Sequence, residues 1–337
     1  MKQPERERPM KALVVEKSGA AFKLTEMPRP MPGAGEVLMR IMASGVNPLD
    51  TKIRAGAAPH ARHPFPAVLG IDLAGHVEQV GADVTKFRPG DEVYGMAGGV
   101  GGIQGTLAEY AAVDADLLAL KPTKLSMREA AALPLIVITA WEGLVDRAKV
   151  ASGQKVLVKG GGGGVGHVTV QIAKALGAEV FATDRGGRAD ALHAMDVTPI
   201  NFETTTVEAY VEEWTGGRGF DVVYDTVGGA SLDEAFKAVR RFGHVVSCLG
   251  WGTHALAPLS FKGGTYSGVF TLMPLLTGEG RAHQGEILKA AADLVDAGKL
   301  TPWLDSRSFG FAQIDDAHEA ITKRTARGKV VVSTNDG

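Results

Sequence analysis

From Lys11 to about Lys121, short apolar runs rich in β-branched residues alternate with turn signals. The runs are Ala12–Val15, Val37–Ala43, Leu73–Val80, Glu92–Tyr94 and Leu117–Leu120, separated by Pro32-Gly33, Pro59, Pro64, Pro66 and Pro89-Gly90-Asp91. This rhythm predicts a small, mostly antiparallel, barrel-like domain. After Met127 strands alternate with helical stretches, as right-handed βαβ units and a parallel sheet require. The predicted strands there are Lys155–Val158, Glu179–Thr183, Phe220–Asp225, His244–Leu249 and Gly268–Leu272. Val165, Val168, Ile172, Ala173 and Leu176 form an apolar stripe at helical spacing, and Gly177 stops that helix. A helix over Glu286–Ala297, another near Ile314–Ile321 and a terminal strand Lys329–Val332 return to the first character. The pattern predicts an α/β chain in two domains: residues 1–126 and 273–337 build the barrel, and residues 127–272 build a doubly wound parallel sheet inserted into it.

Bulk properties narrow the function. A chain of 337 residues exceeds a single hydrophobic core, which predicts two cores and a cleft between them. With 45% hydrophobic and 22% charged residues, there is enough apolar material to fill both. The net charge is −2 and Lys and Arg are scattered, so the electrostatic footprint of a nucleic-acid or anionic-membrane binder is missing. A small neutral or acidic ligand fits better. The single cysteine, Cys248, excludes an internal disulfide and a cysteine-rich metal cage and suits a reducing compartment, by default the cytoplasm. Residues 1–10 carry charges with no apolar run behind them, and no segment has about twenty consecutive apolar residues, so neither a signal peptide nor a spanning helix is expected.

The sharpest signal is Val156-Leu-Val-Lys-Gly-Gly-Gly-Gly-Gly-Val-Gly-His167, a strand running into five glycines and then a helix start. Gly161, Gly163 and Gly166 fit G-x-G-x-x-G: one for a tight turn, one for close approach of a pyrophosphate, one for helix-on-strand packing. Gly164, Val165 and Gly166 open the helix, whose unpaired N–H groups and positive end attract phosphate. About twenty residues on, the second strand ends in Asp184-Arg185. Asp184 would accept hydrogen bonds from a free ribose 2′-hydroxyl, whereas Arg185 or Arg188 would pair with a 2′-phosphate, so the local chemistry argues both ways. Val227 and Leu249 end parallel strands at the edge where doubly wound sheets bind ligands. His167 reads as an exposed helix-start residue. The glycine-rich loop Met96–Thr106 reads as a mobile, apolar border of the ligand site.

Several motifs together resemble the medium-chain dehydrogenases/reductases, along the chain from about Met10. They are Ser44-Gly-Val-Asn-Pro-Leu-Asp-Thr-Lys52, Pro66-Ala-Val-Leu-Gly-Ile-Asp-Leu-Ala-Gly75, Arg88-Pro-Gly-Asp-Glu-Val-Tyr94, Leu133-Pro-Leu, Thr139-Ala-Trp141, the glycine turn, and Asp221-Val-Val-Tyr-Asp-Thr-Val-Gly-Gly229. The resemblance implies a GroES-like β-barrel catalytic domain plus a Rossmann nucleotide domain, a nicotinamide cofactor and a homodimer. Zinc-dependent members carry a cysteine ligand in the first motif and Gly-His-Glu in the second. Here Asn47 and Ile71-Asp72 stand at those places, so the thiolate and imidazole of a catalytic zinc site are missing.

The resemblance is to the zinc-free quinone and enone oxidoreductases, which implies hydride transfer from NADPH, or NADH, to a quinone or to the activated C=C of an enone. It places Asn47 at the ligand or nicotinamide, Lys52 as donor to the ribose or the developing oxyanion, and Asp50 as the group that holds Lys52. It places Thr139 near phosphate and nicotinamide, and Phe270 and Leu272 in the stretch that holds the carboxamide. Relatives that favour NADPH often carry a tyrosine in a motif that reads Ile200-Asn-Phe202 here, and they usually lack an acid at Asp184. Two other readings stand beside this one: a dehydrogenase of small alcohols, and a non-catalytic protein stabilised by its cofactor.

Overall fold

The computed structural model describes residues 9–334. It divides into two compact units: one runs up to Leu135 and takes in Leu272–Ala297 and the chain from Pro302, and the other comprises Ile136–Thr271 and Gly298–Thr301. The first boundary lies at residue 136 and not at 127, because the helix Met127–Ala131 packs on strands of the first unit.

In the first unit the strands are β1 (Pro9–Val15), β2 (Phe22–Pro28), β3 (Glu36–Val46), β4 (Ala67–Val68), β5 (Asp72–Val80), β6 (Glu92–Met96), β7 (Tyr110–Asp114) and β8 (Leu118–Leu120), with Val330–Ser333 closing the chain. β3 is the organiser. It pairs antiparallel with β5, β7 and the terminal strand, and two register shifts against β5 bend the sheet into a curved wall. Alternate residues Val37, Met39 and Ile41 enter a core shared with Leu73, Val77, Val93, Val113 and Leu118. In the loop Met96–Thr106, Met96, Ala97, Val100 and Thr106 are buried and Gly101 N donates to Ala61 O at 2.9 Å, while Gly101 and Gly102 at its tip are exposed.

The second unit holds β9 (Lys155–Lys159), β10 (Glu179–Asp184), β11 (Thr198–Asn201), β12 (Phe220–Asp225), β13 (Val239–Ser247) and β14 (Thr265–Gly268). All pairs are parallel, in the order β11-β10-β9-β12-β13-β14. The order reverses between β9 and β12, which opens a crevice at their carboxyl ends. Under the sheet, Phe181, Tyr210, Phe220 and Phe236 form the core with Leu157, Val223 and Val245. The rings of Phe181 and Phe220 meet edge to face at 5.2 Å.

Of the segment Gly268–Leu272, expected as a strand, only Gly268 belongs to β14, and the rest turns into the helix Met273–Thr277. Its apolar run marks burial of Val269 and Leu272, which periodicity alone does not separate from extension. No helix among the described residues is long and apolar enough to cross a membrane.

Phe181→Ala removes the ring at the centre of this core and is expected to destabilise the second unit by about 3–5 kcal/mol. A midpoint of chemical unfolding equal to that of the parent would contradict the core as described.

Candidate active site

In the second unit, β9 ends in Lys159 and the chain turns on Gly160, whose φ of +79° lies in the left-handed region. Gly160 N donates to Thr183 Oγ1 at 3.1 Å and Gly161 N to Thr183 O at 3.0 Å, which ties the turn to β10. The helix Gly164–Ala175 follows with Gly163 as its N-cap and no side-chain cap. Its first N–H groups are therefore left for a ligand. Two glycines are required by close approach: a Cβ on Gly161 would lie 2.5 Å from Ala182 Cβ, and one on Gly166 would lie 2.0 Å from the Gly160 carbonyl oxygen. Across the switch point, Thr226 Oγ1 donates to Lys159 O at 2.7 Å, which sets Val227, 54% exposed, beside Gly160.

The ribose end is built differently from the simple expectation. Asp184 Oδ2 accepts from Gly186 N at 3.0 Å and Arg188 N at 3.1 Å, so the carboxylate folds its own loop. That loop carries Arg185, exposed and near Glu203 at 3.6 Å, and it lays Arg188 against Gly162. His167 is buried, contrary to the expected exposure, because its Nδ1 turns back to Gly163 O at 3.1 Å.

Thr139 is buried. Its Oγ1 lies 3.0 Å from Thr271 Oγ1, and its carbonyl accepts from Tyr224 Oη at 2.6 Å. Leu249 is half-buried beyond β13, beside Gly228. Phe270 packs edge-on against Trp251 at 6.1 Å. Leu272 is buried as the first residue of the first unit's returning segment.

The first unit holds a second polar constellation. Asn47 caps the helix Pro48–Arg54 and is 1% exposed. Asn47 N donates to Asp50 Oδ2 at 2.7 Å, Asn47 Nδ2 donates to Asp72 Oδ2 at 2.9 Å, and Asn47 Oδ1 accepts from Lys329 Nζ. Asp72 Oδ1 in turn accepts from Leu135 N at 2.9 Å, at the start of the helix Pro134–Trp141. Burial pushes the Asp50 carboxyl up to about 7 and the Asp72 carboxyl up to about 6, and it pulls the Lys329 amine down.

Two sequence expectations change here. Asp50 does not hold Lys52: the two are two positions apart on one helix and face different directions, so Asp50 is buried while Lys52 is exposed. The lysine that acts on Asp50 is Lys329. Both polar ends of the Asn47 side chain are committed inside the unit, which makes it a clamp in place of the expected ligand contact.

Sequence reading passed over Asp72 and Lys329 as site residues. The available signal was a charge opening an apolar strand, Lys329-Val-Val-Val, with its partner 282 positions away. The donor set does not fit zinc: an amide, a carboxylate and an ammonium stand where thiolate and imidazole are needed, and the ammonium repels a cation. No cluster of three or more His, Cys, Asp or Glu able to hold a metal occurs among the described residues.

Gly166→Ala is expected to lower the thermal midpoint and abolish cofactor binding, since backbone, not a flexible side chain, occupies the space; calorimetry and titration with NADPH read both. The Asp50 carboxyl lies above its ordinary 3.8 in the folded chain, so the stability it contributes is full below that pH and is lost as pH rises through about 7. Asp50→Asn keeps an acceptor for Asn47 N and removes the charge. It should therefore raise the thermal midpoint on the alkaline side by a few degrees and leave the acid side unchanged.

Comparison with known proteins identifies the family. A model of the alcohol dehydrogenase GroES-like domain matches residues 33–123, and a model described as zinc-binding dehydrogenase matches residues 190–332. The chain is 37% identical to the 2-methylene-furan-3-one reductase of Solanum lycopersicum over 88% of its length and 71% of the relative's. It is 33% identical to the chloroplastic NADPH-dependent alkenal/one oxidoreductase of Arabidopsis thaliana, covering 88% of this chain and 72% of that one. Among solved structures, an alcohol dehydrogenase superfamily protein from Novosphingobium aromaticivorans superposes with a TM-score of 0.95 at 58% identity, over 97% of this chain and 100% of that one. The chain thus belongs to the medium-chain dehydrogenase/reductase superfamily of oxidoreductases, in its quinone and enone oxidoreductase-like branch.

Proposed function

We propose that this chain uses NADPH to reduce the activated C=C of an enone, or a quinone, without zinc. The observation that carries the reading is the glycine turn at the sheet's switch point, with bare backbone and no side-chain cap where a diphosphate rests. The nicotinamide supplies the hydride when bound. Gly161, Gly163, Gly164, Val165 and Gly166 hold the diphosphate. The Asp184 loop presents Arg185 and Arg188 to a 2′-phosphate, because one Asp184 oxygen is already engaged with Gly186 and Arg188 N–H groups. Within the second unit, Thr139, Val227, Leu249 and Phe270 are the residues that would flank the nicotinamide.

The donor set beside Asn47 bears on the choice of acceptor. An isolated alkoxide has no Lewis acid among these residues to stabilise it. An enone spreads the arriving charge into an enolate and a quinone into a hydroquinone anion, and a hydrogen-bond donor such as the exposed Lys52 ammonium would serve either. The names of the two curated relatives, an alkenal/one oxidoreductase and a furan-3-one reductase, favour the enone. The reading extends to a homodimer, supported by the open edge of β14, and to the cytoplasm or another reducing compartment. Cys248, whose half-buried thiol is pushed up to about 12 by desolvation, is inert in such a compartment.

NADPH oxidation by purified protein, followed against enones, quinones and alcohols with and without added zinc, tests the reading. Enone or quinone turnover that ignores zinc is expected; alcohol oxidation that requires it would overturn the proposal. Lys52→Ala should lower kcat on the order of 100-fold and leave cofactor affinity in place. Arg185→Ala with Arg188→Ala should raise the KM for NADPH about tenfold with little change for NADH, and a parent that uses NADH as well as NADPH would contradict the 2′-phosphate assignment.

A further inference from the structure

Lys329 lies immediately before the strand Val330–Ser333, and it is 6% exposed. A lysine so buried must find oxygen partners or surrender its proton. Its Nζ donates to the Val46 carbonyl at 3.3 Å and to Asn47 Oδ1, while Asp72 and Asp50 act on it as charges. Its backbone is fixed as well: its N–H donates to Trp303 O at 2.7 Å, and its carbonyl accepts from Asp305 N at 3.0 Å. The ammonium therefore has a fixed origin.

Among the described residues, Lys329 is the cation that acts on both carboxyls: on the helix Ile314–Thr322, which packs on the terminal strand and on the Pro48–Arg54 helix, Asp315 pairs with Arg54 at 2.7 Å and burial pulls the His318 imidazole down to about 4. The helix Met127–Ala131 packs on β3, β5 and the terminal strand, but its charged residues are occupied elsewhere: Glu129 accepts from Ser126, and Arg128 donates to the carbonyls of Asp305 and Arg307. Lys52 is exposed and exerts its charge on His60. Near β5, the Ser44 and Thr106 hydroxyls bond to each other and are neutral. One ammonium thus faces two buried carboxylates, and it holds both lower than burial alone would.

Resting on the enone-reductase reading, we infer that Lys329 is a positioning residue for the reaction: its ammonium grips Asn47 Oδ1 and offsets the Asp50–Asp72 carboxylate pair, and so orients the helix that presents Lys52 to the acceptor. Asn47 is the N-cap of that helix, and its backbone N–H, amide nitrogen and amide oxygen are each held by a different charged side chain. Those side chains come from the helix itself, from β5 and from the far end of the sequence. Removing the ammonium frees the amide oxygen and leaves two carboxylates unopposed. They then keep a proton to higher pH, and the cap loses its fixed direction.

The test compares the parent chain with Lys329→Met, Lys329→Arg and the double variant Lys329→Met/Asp72→Asn, using 2-cyclohexenone and NADPH from mildly acid to mildly alkaline pH. The Met variant is expected to lose kcat on the order of tenfold to a hundredfold with KM for NADPH unchanged, because a misplaced donor costs that much. Its alkaline limb should move up by about one pH unit. The Arg variant should recover both. A Met variant with the parent's kcat and pH profile, or an Arg variant as impaired as Met, overturns the inference.

A parent that reduces no enone sinks the functional reading instead, and thermal unfolding against pH then decides the role of Lys329. The parent should lose stability as pH rises through about 6 and 7, where Asp72 and Asp50 titrate, and the Met variant should do so at higher pH. Coincident curves overturn it. If the Met variant does not fold, folding of the double variant supports the charge argument, and failure of both overturns it.

Discussion

Backbone N–H groups at the start of the helix Gly164–Ala175 have no partner within the helix, and no side chain covers them. The second unit is arranged around that condition. Glycines let the turn press against β10 and against its own carbonyl at distances no Cβ would survive. The reversal of strand order between β9 and β12 keeps the space above the turn clear of a crossover. Thr183 and Thr226 brace the turn from the two neighbouring strands, so the amides point outward from a rigid base.

The first unit solves a different problem. In place of the soft ligands that zinc requires, it carries an amide, two carboxylates and an ammonium, all withdrawn from water. Such a set persists when its charges offset one another and share hydrogen bonds, although Asp50 Oδ1 is buried without a hydrogen-bond partner. Asn47 is suited to this because its side chain both donates and accepts, so it bridges Asp72 and Lys329 while its backbone is capped by Asp50. The exposed Lys52 projects from the helix that this arrangement holds in place.

Asp184 shows how one residue type serves two readings. At the end of a second Rossmann strand an acid ordinarily meets the ribose hydroxyls. Here one of its oxygens closes a turn onto the N–H groups of Gly186 and Arg188, and the same turn carries two arginines. The acid is then compatible with a phosphorylated ribose, which its charge alone argues against.

Much of the fold was legible in the sequence because it is written in local periodicity. Strands β9, β10 and β12, the helix Gly164–Ala175 and the glycine turn follow from runs of apolar residues and from punctuation by glycine. Strands β2, β4, β7 and β11 escaped notice: Phe22–Pro28 is mostly exposed, Thr198–Asn201 is mostly half-buried, and Ala67–Val68 and Tyr110–Asp114 are short, so their pairing depends on partners elsewhere. Residue identities at the turn and the lack of a zinc ligand set were likewise readable in one dimension. The direction of a side chain was not. That Asp50 faces Lys329 and not Lys52, that His167 is buried, and that Asn47 is a clamp were decided by tertiary structure. A buried charge takes as its partner whatever charge the fold brings within reach, and the sequence records no distance between residues 47 and 329.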